Sequence, residues 1–191
     1  PESTGVGARP LNNVEGVRMS TALTYIKMAR QRLNLTIRSN VLVRRILFHG
    51  NRAVGLEIES EGEIFNVDAN EIILSAGAIN SPQLLMLSGV GPSDHLRDHG
   101  IPVIKNLKGV GENLREHPQV PVTLRAHDRF ILDGTEPRLQ VALRYTASGS
   151  DLRNDMFILP ASFATEEGYY AISNSRSFGF YLVPCIYLAA S

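Results

Sequence analysis

The chain has 191 residues, 43% hydrophobic and 20% charged, ordinary proportions for a globular protein with material for a sizeable core. Lys+Arg and Asp+Glu balance at 19 each, and no basic stripe is present, which argues against nucleic acid or an anionic membrane surface as the main partner. The single cysteine, Cys185, excludes an internal disulfide and a cysteine metal cluster and fits a reducing compartment, so the cytoplasm is the expected location.

Residues 1–19 are rich in Gly, Pro and Asn and read as loop. Ser20 or Thr21 can cap a helix reaching about Arg32, because Leu23, Ile26, Ala29 and Leu33 recur at helical spacing. Leu35–Ile37 reads as a short strand. Three β-rich runs follow, Val41–Phe48, Ala53–Glu59 and Ile64–Ala69, separated by the turn sequences His49-Gly50-Asn51-Arg52 and Ser60-Glu61-Gly62-Glu63. Val54, Leu56 and Ile58 alternate with Gly55, Glu57 and Glu59, so the middle run has one wet face. These runs predict a β-meander.

Ile72–Leu74 is a short apolar run of the kind that fills a strand covered on both faces, and is expected beside Leu35–Ile37 in a parallel sheet. After Ser75-Ala76-Gly77-Ala78, Ser81 is placed to cap a helix with Pro82 at its first position, and Gly89 stops it. A second short helix runs from Ser93 to His99 and ends at Gly100. From about Pro118 the pattern turns to long β-rich runs, Val120–Leu124, Leu139–Tyr145, Met156–Phe163 and Phe178–Leu188, which predict a largely antiparallel sheet. No apolar run approaches the ~20 residues of a membrane span, and the polar start is no signal peptide. The chain lacks an initial methionine and stops just after an apolar run, so it reads as an internal piece of a longer polypeptide.

The segment from Gly77 to Gly91 carries the most information. A buried strand that ends in small residues and turns into a helix N-terminus lets a ligand approach the backbone, and free N–H groups there favour an anionic group. On spacing alone the same stretch reads equally as a tightly packed β-to-α turn with no ligand. The pattern is a small pair, Gly77-Ala78, then Ser81-Pro82, the aliphatic pair Leu84-Leu85, and Ser88-Gly89-Val90-Gly91. It resembles the second signature of the glucose–methanol–choline (GMC) oxidoreductases. The flanks agree: Pro10-Leu11-Asn12-Asn13, Gly16-Val17-Arg18 and Asn34-Leu35-Thr36 are similar to the family's lead-in. The stretch from Gly109 to Pro118 is similar to its segment after the signature, with Glu116 standing where many members have Asp. The likeness runs from about Gly7 to Pro118 and more loosely to the end, where it is nearest to choline dehydrogenase-like members.

The resemblance implies a flavoprotein of the α/β (α+β) class. Residues 1–117 would form the C-terminal part of a Rossmann-like FAD-binding domain containing the β-meander. Residues 118–191 would begin a substrate domain built on an antiparallel sheet. In the family the position of Val43 meets the adenine through its backbone, and the strand end at Ser75, Ala76 and Gly77 lies by the cofactor. A Val43 side chain would equally be ordinary strand core. The chain holds three Gly-Val-Gly tripeptides, at 5–7, 89–91 and 109–111, and none has the third glycine of a dinucleotide fingerprint.

No catalytic residue and no metal ligand is assigned. The family's catalytic histidine and its His/Asn partner are expected beyond Ser191. His49 sits in a turn, His127 follows a strand, and His95 and His99, four apart with no third ligand evident, read as a solvated helix face. His117 has an orienting role in the cavity by the same resemblance. Cys185 reads as a small buried hydrophobe. Asn34-Leu35-Thr36 fits a glycosylation sequon by chance spacing. The expected activity is FAD-dependent oxidation of the CH–OH group of a small alcohol, choline-like or another primary alcohol, with an FAD-containing lyase of the same fold or a non-catalytic binding module as alternatives.

Overall fold

A computed structural model describes residues 4–127, 129, 139–164 and 179–186. In chain order it contains strands β1 (Gly5–Ala8), β2 (Asn13–Val14) and β3 (Val17–Arg18). A π-helical turn, Ala22–Ile26, runs into the single α-turn α1 (Lys27–Ala29). Next come β4 (Leu42–His49), β5 (Arg52–Ser60), β6 (Glu63–Asp68), helix α2 (Gly77–Leu87), β7 (Val90–Gly91), α3 (Ser93–Asp98) and β8 (Lys105–Asn106). The order closes with β9 (Val122–Arg125), β10 (Val141–Tyr145), β11 (Met156–Ala164) and β12 (Gly179–Ile186). No helix among the described residues is long and apolar enough to cross a membrane.

Two compact units divide the chain, Ala29–Leu114 and the pair Pro1–Met28 with Arg115–Ser191. In the first unit β4, β5 and β6 form the expected antiparallel meander. Its second turn places Glu61 at φ 54° and Gly62 at φ 84°, the double positive φ of a two-residue hairpin whose twist suits the strands. The wet face carries Arg44 and Arg45, which pair with Glu59 at 2.6 Å and Glu57 at 2.7 Å. These bonds are solvent-facing and contribute less than about 1 kcal/mol each. The opposite face buries Ile46 and Ile58. Gly55 is required by close approach, since a Cβ there would meet the Val67 carbonyl oxygen at 2.6 Å.

The expected parallel pair does not form: Leu35–Ile37 and Ile72–Leu74 both lie outside any strand. A parallel strand needs hydrogen-bonded neighbours and cover on both faces, and neither is present among the described residues. Ile73 is accordingly 80% exposed. The parallel pairing that does occur is short, β7 beside β8 through Val90–Lys105 and Gly91–Asn106. The helix expected over 20–32 shrinks to the π-turn and α1. Its N-cap, Thr21, makes no side-chain cap bond, Ser20 Oγ accepts the Leu23 N–H only at 3.4 Å, and none of its residues is buried. Without a packed face so short a helix gains little. The helix α3 ends as expected, with Gly100 at φ 68° and the Ile101 N–H donating back to the Leu96 carbonyl at 2.9 Å.

In the second unit the five strands run in the order β1-β10-β11-β12-β9, all antiparallel. Strand β12 alternates buried and outward positions, with Tyr181, Val183 and Cys185 inside. They pack with Ala142, Leu159, Ala161 and Ala164 into one core. The ladder between β10 and β11 stops at Leu143–Ile158, two residues short of Pro160, which has no N–H to donate. The antiparallel sheet is therefore as expected, although β1 joins it from a segment assigned by sequence to residues 1–117. Phe178 and the end of the last predicted run lie outside the described residues.

Candidate functional site

The turn from Ser75 to Gly77 is positioned by helix α2. Gly77 takes φ 88°, in the left-handed region that disfavours other residues, and turns the chain into the helix. A Cβ at Gly77 would meet no atom within 4 Å, so the space beside it is open. Ser81 and Pro82 do not start the helix, as the sequence suggested. They lie inside it, five and six positions along from Gly77 counted as one. Ser81 nonetheless secures the entry, its Oγ accepting the Ala76 N–H at 3.0 Å. Pro82 lacks the N–H that would bond the Ala78 carbonyl, a cost the helix bears one turn in.

Residues 75–80 are all exposed. A helix start leaves its first N–H groups without intrahelical acceptors, so this rim presents donors and a partial positive charge outward. That combination of an open glycine, small neighbours and unpaired donors fits the close approach of an anionic or polar cofactor edge. Val43 is half-buried on β4, the edge strand of the meander, opposite Ile58 and just before the bulge at Arg44.

The other end of α2 is built for packing. Ser88 is buried; its Oγ accepts the Ile46 N–H from β4 at 2.8 Å and donates to the Leu84 carbonyl at 2.6 Å. Gly89, at φ 84°, could not carry a Cβ, which would lie 2.4 Å from the Pro102 carbonyl oxygen. A Cβ at Gly91 would meet Met86 Cγ at 2.9 Å. The Gly89 carbonyl accepts the Ile104 N–H at 2.8 Å, drawing residues 101–107 alongside. Sequence reading placed these residues in a motif without finding this division of labour; the buried Ser88 hydroxyl in particular had no assigned role.

The histidines hold to modest roles. The His95 and His99 rings lie with centroids 4.5 Å apart and planes tilted by 47°, and His99 Nδ1 lies 2.9 Å from the His95 carbonyl oxygen. His117 is exposed; its backbone N–H donates to Glu116 Oε1 at 2.7 Å and its Nδ1 lies 3.2 Å from the same oxygen. The backbone bond first, and the ring bond second, hold the Glu116 carboxyl below the usual glutamate range. Burial pushes the Cys185 thiol up, as befits a small hydrophobe in the core.

The family model described as GMC oxidoreductase matches residues 1–119, more than half the chain. The chain belongs to the GMC oxidoreductase family. Its members bind FAD, and the match spans Val43 and Ser75–Gly77 alike. A GMC-type oxidoreductase of Rhodococcus erythropolis is 38% identical over 160 residues, 80% of this chain and 32% of that protein. The mitochondrial choline dehydrogenase of Homo sapiens is 44% identical over 134 residues, 65% of this chain and 23% of that protein. Among solved structures, pyridoxine 4-oxidase from Mesorbium loti superposes with a TM-score of 0.78 at 25% identity, covering 97% of this chain and 37% of that one. The chain thus spans between about a quarter and two fifths of the length of these GMC proteins.

Proposed function

We propose that this chain is an internal piece of an FAD-dependent alcohol oxidoreductase, contributing the later part of the FAD-binding domain and the start of the substrate domain. The observation that carries the proposal is the exposed Ser75–Gly77 turn, with its left-handed glycine and open flank, inside the stretch matched to the family. Gly77 allows close backbone approach of the cofactor, the N-terminal amides of α2 offer hydrogen bonds to its polar edge, and Ala76 adds no bulk. Val43 on the edge strand β4 offers backbone groups to the adenine, since an edge strand has backbone positions unpaired by a neighbour. When bound, FAD supplies the acceptor for a hydride from the carbinol carbon of an alcohol.

The substrate follows from the named relatives: choline dehydrogenases recur among them, and a choline-like primary alcohol is the first to try. The proton of the alcohol is managed by residues outside this chain, and the isolated chain has no activity. The test uses the full-length polypeptide, wild type and Gly77→Val. Flavin absorbance per mole of protein is measured beside turnover of choline with an artificial electron acceptor. A branched residue at φ 88° is strained and fills the open flank, so flavin content falls before anything else. Full flavin content in a folded Gly77→Val protein removes this turn from the cofactor site. Flavin-replete protein that oxidises no primary alcohol removes the substrate assignment.

A further inference from the structure

Ser81 and Pro82 are poor residues for the inside of a helix. Serine competes with the backbone for hydrogen bonds, and the residue before a proline is pushed away from helical backbone angles. Both nevertheless lie within α2. What the serine contributes is a contact outside the helical ladder: its Oγ accepts the Ala76 N–H, from five residues back, at 3.0 Å. An interior helical serine more often turns its hydroxyl to the carbonyl one turn before it. Ala76 stands at the N-cap, where its side chain has no oxygen to take up the first amides of α2, and no side-chain cap bond forms. The turn is therefore anchored from behind, at Ser81, and the donors of the first helical turn are left for another acceptor. Gly77 does not select its own conformation, because glycine populates either sign of φ. A Cβ there would touch nothing within 4 Å, so packing does not select it either. Among the described residues no other side-chain hydrogen bond reaches residues 75–77. Residues 75–80 are exposed, so a ligand can reach these amides directly.

We propose that Ser81 is a positioning residue of the cofactor turn. By holding the Ala76 amide it keeps Gly77 left-handed at φ 88° and leaves the first amides of α2 free to meet the polar edge of FAD. It acts through Ala76 and Gly77. A turn already held in the receiving shape loses less conformational freedom on binding, so the hydroxyl raises affinity without adding a contact. The inference rests on the flavin reading above and adds to it the side chain that sets the turn.

The test measures FAD affinity of the full-length apoprotein by flavin fluorescence, in wild type, Ser81→Ala and Ser81→Thr. Ser81→Ala is expected to raise the Kd for FAD roughly three- to tenfold, the worth of one ordinary hydrogen bond. Ser81→Thr keeps the hydroxyl and is expected to restore most of the affinity. Hydrogen exchange at residue resolution is expected to show the Ala76 amide exchanging faster in the Ser81→Ala apoprotein than in wild type. Should Ser81→Ala fail to fold, Ser81→Cys replaces it, since a thiol sulfur is a weak acceptor, and the same weakening is expected. Wild-type FAD affinity in the folded variant, unchanged exchange at Ala76, or a weakening that Ser81→Thr does not relieve would each overturn the proposal. Gly77→Val separates the two levels. If it loses flavin while Ser81→Ala binds FAD as the wild type does, this inference alone fails. If it keeps full flavin, the cofactor reading fails and this inference with it.

Discussion

Ser88→Ala isolates the joint between the signature helix and the meander. In the native chain the Ser88 hydroxyl accepts the Ile46 N–H at 2.8 Å, and both residues are buried. The bond points away from β5, because β4 is an edge strand and Ile46 faces Leu56 across the ladder on its other side. Removing the oxygen strands that amide, and a buried unsatisfied donor costs about 1–3 kcal/mol. The hydroxyl's other bond matters less, because the Leu84 carbonyl still receives the Ser88 N–H at 3.1 Å. The sum comes to about 2 kcal/mol, most of it from the Ile46 amide. Native-state amide exchange measured by NMR reports on this unit residue by residue. Ile46 is expected to exchange at least tenfold faster in Ser88→Ala, with Ile58 in the same core accelerated by the global share of the loss. Wild-type exchange at Ile46, together with an unchanged urea midpoint, would refute the view that this serine closes the edge of the meander.

Gly179→Ala should destabilise the antiparallel sheet, because the new Cβ would lie 1.9 Å from the Leu124 carbonyl oxygen and 3.0 Å from Arg125 Cα. Backbone must move, a strain of about 1–3 kcal/mol visible as a lower thermal midpoint; an unchanged midpoint would contradict the close β9–β12 approach. The Glu116 carboxyl should titrate below the ordinary glutamate value by NMR. His117→Ala should return it only part of the way, since the backbone bond, the larger cause, survives. The folded value is depressed, so the contact contributes above the unfolded pKa and is lost as pH falls through the folded one. A complete return in His117→Ala would reverse the order of causes.

Legibility in the sequence followed the range of the forces. The meander was readable because its turns are local: Glu61-Gly62 must take positive φ at both positions, and few dipeptides do so cheaply. The last strands were readable as long β-rich runs, but which face of β12 is buried was not, since its residues are nearly all apolar and only the structure puts Tyr181, Val183 and Cys185 inside. Leu35–Ile37 and Ile72–Leu74 misled because an apolar run declares that it needs neighbours without supplying them. The helix over 20–32 misled for a related reason: its apolar spacing is present, yet no described surface receives it. Ser81-Pro82 misled because the same dipeptide that opens many helices also fits inside a first turn and a half when a left-handed glycine starts the helix earlier.

The signature from Gly77 to Gly91 looks uniform as a string of small and aliphatic residues, but its glycines answer to opposite demands. A side chain at Gly89 or Gly91 would strike protein atoms at 2.4 Å and 2.9 Å, so those positions are glycine because this chain fills the space. Gly77 has the same left-handed backbone as Gly89 and yet meets nothing within 4 Å. Local conformation explains glycine at 77, and residues 75–80, Gly77 among them, are all exposed at the start of the helix. The far end of that helix is fixed by Ser88 to β4 and by Gly89 to residues 101–107. The rim is thus held at its base, with Ser75, Ala76 and Ala78 and the first amides of α2 at its open side. The family match covers the packed end and the open one alike, and the cofactor contact proposed for Gly77 would give the motif's two kinds of glycine one setting.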